Sequence, residues 1–455
     1  MLKARVIYLT ACVACLTAGC KSYYAKTLVF NTKYEQRDYA GAMQYLDSEE
    51  KLQRSNNKVL YDLNYGTAAF MAEDSKTSIE HFSEADKYDE DFTKNYAYEA
   101  LALISNPMVR PYQMEYYESV LLHFYQAMNY VRQNDYEGAL VECRRMNLSL
   151  QRQDDAFKKH DGKRYSRDAF GHLLMGLVYE AAGDNNNAFV AYRNSYEIYK
   201  DDYVGMYNVE VPSTLKAAII RTAYKTGLMS EGVQFEKEFE MTYVKSSKDS
   251  GRLVMLVLDG LGPIKTEKVL EFVKVPSAGM VTYYCSELGW TIPVYYDDLS
   301  GSDKSAIDDF SMMRIALPQM ESRASSCQQV QVLIDSSMHM PTVVEDVDQI
   351  AKQSLRDRHW AELGKAVLRA ATKAAASKVA REKNEYVGLL VNLAGAIAEK
   401  ADTRGWMSLP ARIELIDVEL PAGEHKIEYK TCDGTTTASV TIVAGKSSFL
   451  TFRGR

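Results

Sequence analysis

From about Tyr23 to Tyr243, small and aromatic positions recur at intervals that two antiparallel helices explain. Counting from Gly176, Tyr179 stands at +3, Gly183 at +7, Ala188 at +12, Tyr192 at +16 and Ser195 at +19. The small residues fall where two helices approach closely, the aromatic ones fill the gap between them, and Gly183-Asp184 turns the chain. The same ruler fits from Gly66 through Ala69, Ser78, Phe82 and Ala85, and from Ala127 through Tyr130, Asn134, Ala139, Cys143 and Met146. Weaker echoes occur at Asp38-Tyr39-Ala40-Gly41-Ala42 and at Ile220, Ala223, Gly227 and Gly232, where bulky Ile220 replaces a small residue.

These intervals are those of tetratricopeptide (TPR) repeats. The units lie more than about 34 residues apart, which predicts inserted loops such as Asn106 to Pro111 and Gln153 to Ser166. Most of the 32 tyrosines fall at knob positions and are expected to be buried, with ring stacking against a sugar or peptide as the alternative for a few. Cys143 is likewise expected to be a buried thiol. A stack of helix pairs offers a long groove suited to a peptide or a partner protein.

At Arg252 the pattern changes. Residues Arg252 to Leu258 form a continuous apolar run closed by Asp259-Gly260-Leu261-Gly262-Pro263, which predicts a buried strand and a turn. Val281 to Tyr284, Thr291 to Tyr296 and Gln329 to Ile334 read as further strands. From Asp346 to Ala401 helical spacing returns, in two pieces broken near Asn384. Val347, Ala351, Leu355, His359, Leu363, Val367 and Ala370 make its buried stripe, so His359 reads as a core histidine. Arg358, Lys365, Arg369 and Lys373 share another face, either solvated or meeting lipid headgroups or an acidic partner. In Ala401 to Pro410, Asp402 and Arg404 are placed to pair across a turn while Trp406 plugs the next layer, with a binding site as the alternative. Beyond it, alternation through Ile413, Leu415, Leu420, Ile427, Tyr429, Val440, Ile442, Leu450 and Phe452 predicts a small antiparallel sheet of about four strands.

The fold class expected is α+β: a TPR-like α-helical solenoid over 20–245, then a mixed α/β part with long helices (strands and loops over 250–345, helix over 346–410), and a small antiparallel β-module over 411–455. Residues 1–19 read as a lipoprotein signal peptide. Lys3 and Arg5 precede an apolar run from Val6 to Thr17 that is shorter than the roughly 20 residues of a spanning helix. Leu16-Thr17-Ala18-Gly19-Cys20 is then the lipobox pattern, with Thr17 where a larger aliphatic residue is usual and the Cys20 thiol as the group that takes the acyl chains. Two or more chains anchor stably, at about 0.8 kcal/mol per buried methylene. Lys21, not aspartate, follows, which implies the outer membrane by the sorting rule of enteric bacteria.

Losing residues 1–19 moves the formal charge from −7 to −9, which argues against nucleic acid as a partner. Cys143, Cys285, Cys327 and Cys432 match no zinc template, and one disulfide among the last three is left open. The seven histidines show no metal spacing and no Gly-x-Ser-x-Gly elbow occurs. Pro263 and the lack of a following Gly-Lys-Ser/Thr speak against a phosphate loop at Gly260 and Gly262. The acidic run from Asp297 to Asp309 lacks calcium-loop order. No catalytic, cofactor-binding or metal-binding residue is therefore assigned.

The chain resembles a little-characterised family of TPR-containing bacterial envelope lipoproteins. The resemblance is carried by the lipobox at Cys20, the helical repeats, Asp259-Gly260-Leu261-Gly262-Pro263-Ile264-Lys265, the basic helix through Arg369 and Lys373, and Asp402-Thr403-Arg404-Gly405-Trp406-Met407-Ser408-Leu409-Pro410. It implies an outer-membrane lipoprotein, periplasmic or surface-facing, associated with envelope assembly, and it brings no established activity. Leu420 to Ile427 is also similar to the small β-module called PEGA.

The expected function is a non-enzymatic protein–protein interaction scaffold. The membrane is reached through the lipid, envelope proteins or peptide segments bind in the groove, and Arg369, Lys373, Asp402, Arg404 and Trp406 are candidate contacts. A peptidoglycan-binding or wall-modifying protein and a structural subunit of a surface assembly are the rivals.

Overall fold

The computed structural model describes residues 23–54, 56–92, 107–157, 165–277, 280–295, 312–323, 330–358, 363, 400–431 and 434–454. The leader with Cys20, the acidic stretch from Asp297 to Asp309, His359, Lys365, Arg369, Lys373, Cys327 and Cys432 lie outside the described residues.

The chain is mixed helix and sheet. A one-turn helix, α1 (Tyr23–Lys26), leads into α2 (Leu28–Glu35) and α3 (Tyr39–Ser48). There follow α4 (Lys58–Met71) with α5 (Ser75–Phe92), α6 (Tyr116–Arg132) with α7 (Tyr136–Phe157), and α8 (Ala169–Ala181) with α9 (Asn185–Ile198). A π-helical turn (Tyr199–Tyr203) and α10 (Val204–Tyr207) separate these from α11 (Ser213–Lys225) and α12 (Met229–Phe239). Each second helix packs on its own partner and, from α3 through α9, on the first helix of the next pair. The two weak echoes in the sequence, at Asp38 and at Ile220, are thus complete helix pairs.

Among the described residues one local rule makes all five turns between paired helices. A single left-handed residue, Arg37, Glu73, Asn134, Gly183 or Gly227, reverses the chain. In four of them an aspartate follows and caps the second helix: Asp38, Asp74, Asp135 and Asp184 accept from the backbone N–H of Gly41, Thr77, Gly138 and Asn187. The small-to-aromatic step of the ruler is a physical contact. A Cβ added at Gly176 would stand 2.3 Å from the Tyr192 ring, and one at Gly66 3.0 Å from Phe82.

The second half builds three four-stranded sheets from β1 (Ser250–Asp259), β2 (Ile264–Ser277), β3 (Met280–Cys285), β4 (Trp290–Tyr295), β5 (Met312–Glu321), β6 (Gln331–Ile334), β7 (Ser337–His339), β8 (Thr342–Asp346), β9 (Arg412–Pro421), β10 (Gly423–Thr431), β11 (Gly434–Ile442) and β12 (Ser447–Arg453). The central sheet runs β12-β1-β9-β8, with β12 parallel to β1 and the other pairs antiparallel. Its two faces are both buried. Val254, Leu256 and Leu258 point into the helices, while Leu253, Met255 and Val257 pack on a second sheet, β11-β10-β6-β7. Burial on both sides is why β1 reads as an unbroken apolar run instead of an alternating one.

This topology corrects the expectation of a separate C-terminal β-module. β9 and β12 flank β1, and β10 and β11 join β6 and β7, so residues 411–455 complete sheets that residues 250–346 begin. Alternation gives the strands and says nothing about their neighbours. The third sheet, β4-β3-β2-β5, has an apolar cluster of its own and is called the arm below. Leu270, Phe272, Val281, Tyr283, Cys285, Ile315 and Leu317 fill one of its faces together with Leu363, which follows a helix over 347–358. Cys285 is a buried free thiol, and so is Cys143. Among the described residues no helix is long and apolar enough to cross a membrane.

Gly176→Ala is expected to destabilise the chain by about 1–3 kcal/mol in chemical denaturation, because the Tyr192 ring must move. The same change at Gly66 is expected to cost less, since the Phe82 contact is looser.

Candidate interaction surface

The first helices of the pairs present the face on which a repeat array would hold a partner. In this chain that face is occupied from within. Segment 400–410 crosses α4 and α6, and Ala401, Arg404, Trp406, Met407 and Leu409 are all buried. The helices hold it as they would hold an extended peptide, through its backbone as well as its side chains. Glu118 Oε1 accepts from the Trp406 N–H (2.9 Å), and Asn64 Oδ1 accepts from the Ser408 N–H (3.2 Å) and hydroxyl (3.0 Å). The Trp406 indole donates to the hydroxyls of Thr67 (3.0 Å) and Ser408 (2.9 Å), and its ring meets Phe82 and Tyr125.

Arg404 is the anchor at the other end. It grips both Asp402 oxygens (2.9 and 2.7 Å) and donates to the carbonyls of Asn56 (2.6 Å) and Arg110 (3.1 Å). Its guanidinium lies over the Tyr112 ring. Such a fork binds carbonyls and carboxylate in fixed directions, which a lysine could not do.

Beside it stand two glutamates from the start of α6, Glu115 and Glu118, whose capping box joins them. Glu118 Oε2 accepts from Tyr112 Oη (2.6 Å) and from the Glu115 N–H (2.9 Å). Glu115 pairs with Lys265 at the start of β2 and with Arg358 (2.5 Å). Burial pushes the Glu115 carboxyl up, but Arg358 and Lys265 pull harder and hold it down at about 2. Asp402 behaves alike: burial raises it, and Arg404 overcomes that to bring it to about 2. Glu118 goes the other way, raised by burial against the pull of Lys265.

Two sequence segments that carry the family resemblance therefore meet in space. The bend at Gly260 and Gly262 lies against 407–411, with Gly262 N–H donating to the Leu409 carbonyl (2.7 Å) and Ala411 N–H to that of Asp259 (2.9 Å). Arg323 closes the bend on the Gly262 and Met407 carbonyls. Asp402 and Arg404 pair across the turn and Trp406 plugs the layer between helices, the first of the two readings the sequence offered for this segment. Cys20, Arg369 and Lys373 lie outside the described residues. Sequence reasoning missed Glu115, Glu118, Asn64 and Lys265; the spacing Glu115-x-x-Glu118 ahead of an apolar helix was the one available signal.

Farther along the array the central sheet takes over the same face. Arg252 of β1 reaches Glu180 on α8 and Asp417 on β9, while Arg221 (2.8 Å) and Lys225 (3.0 Å) of α11 also grip Glu180. Tyr199 donates to the Val344 carbonyl (2.6 Å) and Tyr165 to Asp168 (2.5 Å). Burial raises the Asp168 carboxyl, and it raises Glu345, at the end of β8, further. Both acids are buried. Among the described residues no group of three His, Cys, Asp or Glu is placed to hold a metal ion.

No protein-family model matches the chain, and no curated protein matches it. Solved structures that match include two titled as crystal structures of MamA, at 15% and 14% identity, each with a TM-score of 0.29. The first covers 46% of this chain and 91% of that one, the second 48% and 98%. NprR in complex with its cognate peptide NprX matches at 16% identity and a TM-score of 0.20, over 52% of this chain and 72% of that one. The helix pairs described above rest on the chain's own packing.

Arg404→Ala is expected to cost about 3–5 kcal/mol in denaturant unfolding, because it strands a buried carboxylate and two carbonyls. Acid should open the same junction. Glu115 and Asp402 sit below their ordinary values, so the stability they contribute is present above about pH 4.5 and is lost as pH falls toward 2. Glu118, raised, offsets part of that loss. Trp406 fluorescence followed from pH 6 to pH 2 checks it.

Proposed function

We propose that this protein is a membrane-tethered, non-enzymatic scaffold of the bacterial envelope, anchored at the outer membrane through acyl chains on Cys20. The observation that carries the reading is the position of Tyr23. It is 4% exposed and packs beside Arg404, Glu118 and Asn64, at the junction of helices, bend and arm. Only Lys21 and Ser22 separate it from Cys20, so a lipid there has a reach of about 10 Å. A tether that short does not let the body roam. It holds one defined end of a rigid platform against the lipid surface, the arrangement expected of a protein that positions others.

The platform differs from an open repeat array. Its groove is filled by its own chain, so partners meet surfaces other than the inner helix face. The buried acids and the Arg404 cluster are consumed in joining the halves, which favours a structural role for them over a chemical one. The lipobox sequence and the resemblance to envelope lipoproteins support the location.

The test is metabolic labelling with an alkynyl fatty acid followed by cell fractionation. The chain is expected to carry label and to sediment with outer membranes, and Cys20→Ser to lose both. Labelled chain that remains in the inner membrane would remove the outer-membrane placement. In parallel, purified chain is incubated with isolated peptidoglycan, and new muropeptides would end the non-enzymatic reading.

A further inference from the structure

The arm sheet has a second face. Along β2, Leu270 and Phe272 point inward, while Val269, Glu271, Val273 and Val275 point out. Register sets Met312 of β5 and Tyr284 of β3 on either side of Val273. Val273 is 53% exposed, Val269 48%, Met312 and Val275 42%, and Tyr284 39%. A row of valine, methionine and tyrosine across adjacent strands, turned to water, is the kind of contiguous apolar surface that marks an interface. Within the row lies a single charged pair: Arg314 reaches Glu271 at 2.7 Å, directly across the β2–β5 ladder, with both side chains more than half exposed.

We propose that this face binds the same face of a second copy of the chain, forming a two-fold dimer of arms. The charge pattern selects the occupant. A two-fold axis running between β2 and β5, parallel to the strands, lays β2 of one copy over β5 of the other. Glu271 then meets the partner's Arg314, Arg314 meets the partner's Glu271, and Val273 and Met312 cover one another, while Tyr284 on β3 lies at the rim. The face is complementary to itself. An anionic membrane fits less well, because the face would bring Glu271 toward like charge.

Area sets the strength. β2 and β5 pair over ten residues, and β3 and β4 over six. At strand spacings of about 4.8 Å and rises of about 3.3 Å per residue, the overlapping β2–β5 strip covers roughly 320 Å², with β3 and β4 beyond it. A standard interface buries about 800 Å² per partner. The dimer is therefore weak when dilute and needs confinement to be well populated, which a lipid tether provides by raising the local concentration. That last point rests on the acylation proposed above; the face itself does not.

The experiment is a charge exchange on the full chain. Wild type, Glu271→Arg and Arg314→Glu are purified in mild detergent and compared by sedimentation velocity over a wide concentration range. Wild type should show concentration-dependent dimers. Each variant alone sets like charges against each other and should weaken association by at least about tenfold. An equal mixture of the two variants restores opposite charges at both contacts and should recover the dimer. Both sites are exposed, so thermal unfolding by circular dichroism should match wild type. A second variant, Val273→Glu, should abolish association without rescue by mixing.

A wild type that stays monomeric throughout would overturn the proposal, as would a mixture no better than its components. So would monomers that bind phosphatidylglycerol liposomes through Val273. If Cys20 proves unacylated while the mixture still dimerises, the tether reading fails and the face stands.

Discussion

Everything in this fold depends on how one short segment is desolvated. Residues 400–410 lie between helices, the bend after β1 and the base of the arm, and they bring an arginine and a tryptophan into the interior with them. A guanidinium out of water is costly unless each of its donors finds an acceptor in the right direction. Arg404 meets that demand with Asp402 and two carbonyls contributed by loops of the helical half. The loops carrying Asn56 and Arg110 are thereby fixed to a residue 348 and 294 positions away. Helix array and sheets are locked to each other by polar directionality, and apolar contact fills the space that remains.

The consequence is a three-layer body in place of a solenoid with an appendage. Helices cover one face of the central sheet and a second sheet covers the other, with β1 in the middle of both cores. Glu180, which an isolated array would show to solvent, is instead the meeting point of Arg221, Lys225 and Arg252. A groove residue of a repeat has become the acceptor that orients a sheet.

Local structure was legible in the sequence where a local cause existed. Gly66, Gly176, Phe82 and Tyr192 gave the helix pairs because small-to-aromatic packing between neighbours leaves a fixed spacing. β1 was legible as a buried run. Arg37 and Glu73 made two of the five turns harder to read than Gly183 or Gly227, since their left-handed conformation is not announced by glycine, whereas Asn134 fell on the ruler. Sheet order was not legible at all: Leu253 opposite Val418 and Ser448 is a long-range choice made by two cores together. The same limit applied to Trp406. Its place as a plug could be guessed from its neighbours, but that it plugs the groove itself needed Asn64, Thr67 and Glu118 in three dimensions.

The strand order also governs the order of assembly. The central strand β1 emerges early, yet its neighbours are β9 and β12, the latter almost 200 residues further along. Until Ser447–Arg453 is delivered, β1 lacks a flank and the inner helix face lacks its cover. Loop closure over such distances is slow. The central sheet is therefore completed last, when the tail of the chain reaches a strand laid down almost 200 residues before it.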